Sequence, residues 1–112
     1  MRIAKLVATN KRILSLQDIL NAEDSALEKD REETEALYEQ AIKSSVRGGF
    51  LADAGLANER FADYLLCAGD EIEAKYRVEQ SMKYYSAWGA MKKVDLMKSK
   101  WARVLSIVEK SY

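Results

Sequence analysis

A chain of 112 residues is long enough for one domain with a modest core and too short for two comfortable ones. Eighteen basic residues balance eighteen acidic ones, so the total charge favours neither nucleic acid nor an anionic membrane. Histidine is absent, which removes the usual general base and the commonest metal ligand, and the single cysteine, Cys67, excludes an internal disulfide and fits a reducing compartment.

Proline is absent, glycine is sparse and 48% of the residues are hydrophobic, a helical composition. In chain order, residues 1–10 open a basic stretch: Met1 to Gln17 carries Arg2, Lys5, Lys11 and Arg12 and no acid. That pattern weakly resembles an organelle transit peptide, against which stands the helical pattern already under way at Ile13. Helix one is expected from about Lys11 to Glu28, with Ile13, Leu16, Ile19, Leu20 and Leu27 as its apolar residues and Thr9 or Asn10 as its cap. Asp30 should cap helix two, which runs to Arg47 with Leu37, Tyr38, Ala41, Ile42 and Val46 inward and ends at Gly48-Gly49.

Helix three, Leu51 to Ala68, carries Leu56, Ala57, Phe61, Tyr64, Leu65 and Ala68 at three- and four-residue steps. Gly69 supplies a left-handed stop, and Asp70 is a favoured cap for helix four, Glu71 to Ala87, whose inward residues are Ala74, Val78, Met82 and Tyr85. Glu71 and Glu73 set negative charge against the positive end of that helix. Gly89 ends it, and helix five is expected from Met91 to about Glu109, with Val94, Met97, Trp101, Val104 and Val108 on one stripe. No apolar run approaches the roughly 20 residues that span a bilayer.

The hairpin at Gly69 has a twin. A shift of forty residues lays Ala22 on Ala62, Asp30 on Asp70, Glu39-Gln40 on Glu79-Gln80 and Gly49 on Gly89, and a second shift lays Phe61 on Trp101 and Asp63 on Arg103. The chain therefore reads as one all-α helical-repeat domain of about five antiparallel helices over residues 1–112. Its first repeat covers about 10–48, its second about 50–88 and its C-terminal helix about 91–109. Met1 to Ala8 would then stand where a preceding second helix ends, so either helix one extends backwards or the chain was cut from a longer array.

The residues Leu20-Asn21-Ala22-Glu23-Asp24, Asp30, Leu37-Tyr38-Glu39-Gln40-Ala41-Ile42, Gly49-Phe50, Leu56-Ala57-Asn58-Glu59, Gly69 and Trp88-Gly89-Ala90 with Lys93-Val94 resemble the tetratricopeptide-like helical region of very large signalling proteins. Those proteins combine kinase-like, ATPase, GAF and histidine kinase domains, and the likeness spans about Leu14 to Leu105. It implies a right-handed stack of hairpins with a period near forty, longer than the roughly 34-residue tetratricopeptide unit. It also implies an interaction role, since no kinase, ATPase or sensor motif occurs in this chain. Lys29 departs from the family's glycine before the capping aspartate, and Gly48 from a common asparagine.

No residue set points to catalysis, a cofactor or a metal. Cys67, beside Leu65 and Leu66 and without any histidine, reads as a buried or half-buried packing cysteine. Gly48-Gly49 is followed by no Gly-Lys-Ser/Thr and is a turn rather than a phosphate loop. The acids from Glu28 to Glu35 are a solvated helix start or, alternatively, an acidic docking patch. Lys92, Lys93, Lys98, Lys100, Arg103 and Lys110 lack the aromatic interleaving of a nucleic-acid face, while Tyr84, Tyr85 and Trp88 suit core and inter-repeat packing.

The first helices of such a stack line its concave face. Glu23, Asp63 and Arg103 should form a row along it, with Ile19, Glu59 and Ser99 one turn earlier: a candidate partner-binding surface for an extended or helical peptide. The expected function is a non-enzymatic scaffold, cytoplasmic with organelle import as an option, that binds a protein or peptide and neither nucleic acid nor membrane. The alternatives are a permanent subunit of a large assembly and a cis-acting regulatory segment of a signalling enzyme.

Overall fold

The computed structural model describes residues 16–27 and 30–107. Among them the chain is all-helical, with no strand. Residues 16–27 form α1, followed by α2 (Arg31–Arg47), α3 (Leu51–Cys67), α4 (Glu71–Trp88), α5 (Met91–Lys100) and the short α6 (Ala102–Leu105). Where helix one begins, its proposed cap at Thr9 or Asn10, and Val108 lie outside the described residues.

The helix ends obey local chemistry. Asp30 accepts from the Glu33 amide at 3.1 Å and Asp70 from the Glu73 amide at 3.2 Å, so each carboxylate satisfies a donor that the first turn leaves unpaired. Between α3 and α4 the chain reverses at Gly69, whose φ of 87° no side chain adopts without strain. Its backbone there returns two bonds to the end of α3, Gly69 to Leu66 and Asp70 to Leu65.

Each helix buries one stripe. On α2 the stripe is Thr34, Tyr38, Ala41 and Ser45, and on α4 it is Ala74, Val78, Ser81 and Tyr85, so the buried positions of the two helices stand forty residues apart. α3 lies between α2 and α4, and α4 in turn packs on α5 and α6. The main core joins Tyr38, Phe61, Leu65, Val78, Tyr85, Val94, Met97, Trp101 and Val104, and a smaller cluster joins Ile19, Ala41 and Ala57. α3 and α4 approach closely because their contact is built from small groups: Ser81 donates to the Gly55 carbonyl at 2.6 Å, and a Cβ added at Gly55 would sit 3.0 Å from the Tyr85 ring.

A column of rings and charge ties three helices together. The Tyr38 ring stacks on Phe61 at 5.1 Å, and the Arg77 guanidinium covers the other aromatic surface of Phe61 at 4.6 Å while pairing with Glu73 at 3.3 Å and Glu39 at 3.5 Å. α1 is held by its buried Ile19 and Ala22 together with polar contacts: Ser25 to Thr34 at 2.8 Å, and Ser44 donating to Asp18 at 2.8 Å.

Four details depart from the sequence reading. The last helix, expected unbroken to about Glu109, breaks at Trp101 and gives six described helices rather than five; α6 ends at Leu105. Trp101 is buried and its indole N–H donates to Glu59 of α3, a tertiary contact that outweighs a straight helix. Cys67 is exposed, because it stands about 200° round α3 from the inward Leu65. Val46 is exposed and Ser45 takes the inward place, since the stripe of α2 passes about 100° from Val46. Trp88 is 61% exposed, while Tyr85 is buried as expected. No helix among the described residues is long and apolar enough to cross a membrane.

Candidate functional site

Because α1 and α3 run side by side and α2 lies beneath them, a groove opens between the two upper helices. Its larger part is an open cleft of ≈ 590 Å³ lined by Glu23, Ala26, Leu27, Arg31, Tyr38, Arg60, Asp63, Tyr64, Cys67 and Ala68. Towards the other end of α1 lies a cleft of ≈ 300 Å³, lined by Leu16, Ile19, Leu20, Glu23, Leu56 and Arg60. The two clefts share Glu23 and Arg60, which pair across the groove at 3.4 Å. The groove thus has two sockets with one ion pair between them: a lower one lined by Leu16, Ile19, Leu20 and Leu56, and an upper one where Arg31 and Asp63 stand beside Leu27, Tyr38 and Tyr64.

The upper socket has an aromatic floor. Tyr38 is buried with its ring 6.0 Å from that of Tyr64, and Leu27 stands on the rim at 81% exposed. Leu20, in the lower socket, is 55% exposed. Exposed leucines lining a groove are apolar surface the fold leaves uncovered. Burial and the nearby Glu23 carboxylate push the Tyr38 hydroxyl up to about 12, so it stays protonated at neutral pH.

Charge in the groove is unevenly matched. Arg60 is paired with Glu23, and Arg31 with Glu35 at 3.2 Å and Asp70 at 3.0 Å. Asp63, half-buried, forms no ion pair within 4 Å among the described residues. Burial raises its pKa and the Glu59 charge adds to the rise, against the lowering effects of Lys100 and Arg60.

Of the six residues read as a partner-binding row, the structure brings Glu23 and Asp63 into this groove. Ile19 sits at its lower end but is 4% exposed and packed against Ala41 and Ala57. Glu59 is buried and committed, accepting from Lys93 at 3.2 Å, Lys100 at 3.2 Å and the Trp101 indole at 3.4 Å. Burial pushes its pKa up, but the hydrogen bonds from Lys93 and Lys100 outweigh that, and its net shift is downward. Ser99 and Arg103 are exposed and line neither cleft; Arg103 pairs with Glu71 at 2.9 Å.

Arg60, Tyr38, Tyr64 and Cys67 line the groove without having been picked out for it from the sequence. The usable signal was the poor fit of Leu20 and Leu27 to the stripe of α1: each falls off the line of Ile19, Ala22 and Ser25 that faces inward. Among the described residues no group of three histidine, cysteine, aspartate or glutamate side chains is placed to hold a metal ion. Comparison with known protein families, with curated proteins and with solved structures found no match to the chain.

Proposed function

We propose that this chain is a non-enzymatic, tetratricopeptide-like helical scaffold that captures a segment of another protein in the groove between α1 and α3. One observation carries the reading: Leu20 and Leu27 stand open to solvent along a groove that is also lined by the half-buried Tyr64 ring and by Asp63, a carboxylate with no ion pair within 4 Å among the described residues. A cleft of ≈ 590 Å³ in which Ala26, Leu27, Tyr64 and Ala68 stand beside Glu23, Arg31, Arg60 and Asp63 offers both apolar surface and charge to a partner segment. Helix one and helix three of the repeat provide its walls, as the concave face of such a stack requires.

Affinity capture from the native extract tests the reading with two forms of the full chain, wild type and Leu27→Asp. Leu27 is so exposed that the substitution leaves thermal stability within about 0.5 kcal/mol. A set of proteins held by wild type and lost from the variant supports the groove. The same set held by both places the contact elsewhere and sinks the proposal.

A second reading, permanent membership of a larger assembly, has its own support in α5, where Met91 is 53% and Leu96 68% exposed. Partners retained through a high-salt wash by wild type and Leu27→Asp alike, and lost from Leu96→Asp, would favour it.

A further inference from the structure

The two sockets are set at a fixed interval, and the interval describes the occupant. From Ile19-Leu20 to Ala26-Leu27 the wall of α1 advances seven residues, about 10.5 Å at ~1.5 Å per residue. A helix lying along the groove presents side chains at that interval when they are seven residues apart, two turns on one face. Reaching from one socket to the other takes roughly two turns of a partner helix.

The walls also choose between a helical and an extended occupant. Both are α-helices, with their backbone donors and acceptors bonded internally along the groove, so an extended peptide would find no ladder to join. A helix brings its own backbone bonds and needs only sockets for its side chains.

Charge sets the third requirement. Both arginines that line the groove already have carboxylate partners, at 3.4 Å for Arg60 and 3.0 Å for Arg31. Asp63 has none within 4 Å among the described residues, so the complement to this groove is a cation.

Resting on the peptide-binding reading above, we propose that the groove is occupied by an amphipathic helix of a partner protein carrying two apolar residues seven positions apart, with a lysine or arginine beside the one that enters the Tyr38–Tyr64 socket. The central turn of that helix crosses the Glu23–Arg60 pair, which disfavours a third bulky apolar residue there and separates this occupant from a uniformly hydrophobic helix.

Cys67 lines the upper socket, is exposed and is the one cysteine of the chain, so its alkylation by a maleimide reports occupancy at that place. The probe is a synthetic helical peptide of alanine and glutamine with two leucines seven residues apart and a lysine beside each. One control has the same composition with the leucines five apart; two others keep the heptad spacing and carry glutamate or glutamine in place of lysine.

Titration of the full chain is followed by anisotropy of labelled peptide and by the rate of Cys67 alkylation. The heptad-lysine peptide should bind at least about tenfold more tightly than the misspaced control, the equivalent of losing one seated leucine, and should slow Cys67 alkylation. Asp63→Asn should weaken the lysine peptide about twofold to fivefold and leave a glutamine analogue unchanged. Equal binding of both spacings, equal binding of lysine and glutamate peptides, or binding without protection of Cys67 each overturns the inference, as does no binding of any peptide. The broader reading is judged separately: capture that still depends on Leu27 while the heptad peptide fails would retain the groove and reject this occupant.

Discussion

Glu59→Gln separates a structural carboxylate from a recognition residue. Glu59 is 5% exposed and holds α5 and the Trp101 bend against α3 through Lys93, Lys100 and the Trp101 indole. Severing a fully buried ion pair costs about 3–5 kcal/mol, chiefly by stranding a charge away from water. Here the stranded groups would be two lysines whose side chains are 41% and 57% exposed, and water recovers them. Glutamine keeps the volume and one acceptor for the indole. The loss is therefore that of two charge-assisted bonds at half-exposed sites, about 1–2 kcal/mol, or a fall in Tm of about 4–8 °C.

The pH dependence gives a second check on Glu59. Its folded pKa lies below the ordinary value of 4.5, so the carboxylate contributes stability at and above that value and loses it as pH falls through the depressed one. Urea unfolding of both proteins from pH 7 to pH 3 should show a constant gap down to about 4.5 that closes below it. A gap under about 0.3 kcal/mol at pH 7, or one that does not close in acid, would refute the account of Glu59 as a latch.

Three further substitutions test other parts of the structure. Asp63→Asn should slightly stabilise the fold at pH 7: the raised pKa means that ionising Asp63 costs stability as pH rises from 3.8 through the folded value, so the variant's advantage should open over that window and then stay flat in denaturant titrations. Asp70→Ala removes the acceptor of the Glu73 amide and the partner of Arg31, and should cost about 1 kcal/mol in urea unfolding; Asp70→Asn, a competent cap, should recover most of it. Gly55→Ala puts a methyl 3.0 Å from the Tyr85 ring at the α3–α4 contact; an overpacking cost of about 1–3 kcal/mol, set against the ~1 kcal/mol alanine gains inside a helix, should leave a net loss of up to about 2 kcal/mol in thermal denaturation, which Tyr85→Leu should relieve in part.

The helical class, the caps and the places where the chain turns were legible in the sequence because they rest on contacts a few residues long. Asp30 and Asp70 cap where they were expected to, and Gly49, Gly69 and Gly89 all take positive φ at the ends of α2, α3 and α4. The spacing of Tyr38 with Ala41, of Phe61 with Leu65 and of Ala74 with Val78 marks inward faces through helical period alone.

What only the tertiary structure decided is which residues meet across helices. The sequence places Glu59 and Asp63 one turn apart on α3 and treats them alike. In the fold, Glu59 falls under Lys93, Lys100 and Trp101, and Asp63 is left facing a groove without an ion-pair partner within 4 Å among the described residues. The same holds for Cys67, an apolar neighbour of the buried Leu65, which ends beside open solvent. Helical periodicity fixes a side chain's angle on its own helix to within a few tens of degrees. Whether that angle meets a neighbouring helix or an opening depends on how the helices are stacked, and no residue-to-residue spacing along the chain encodes the gap between α1 and α3.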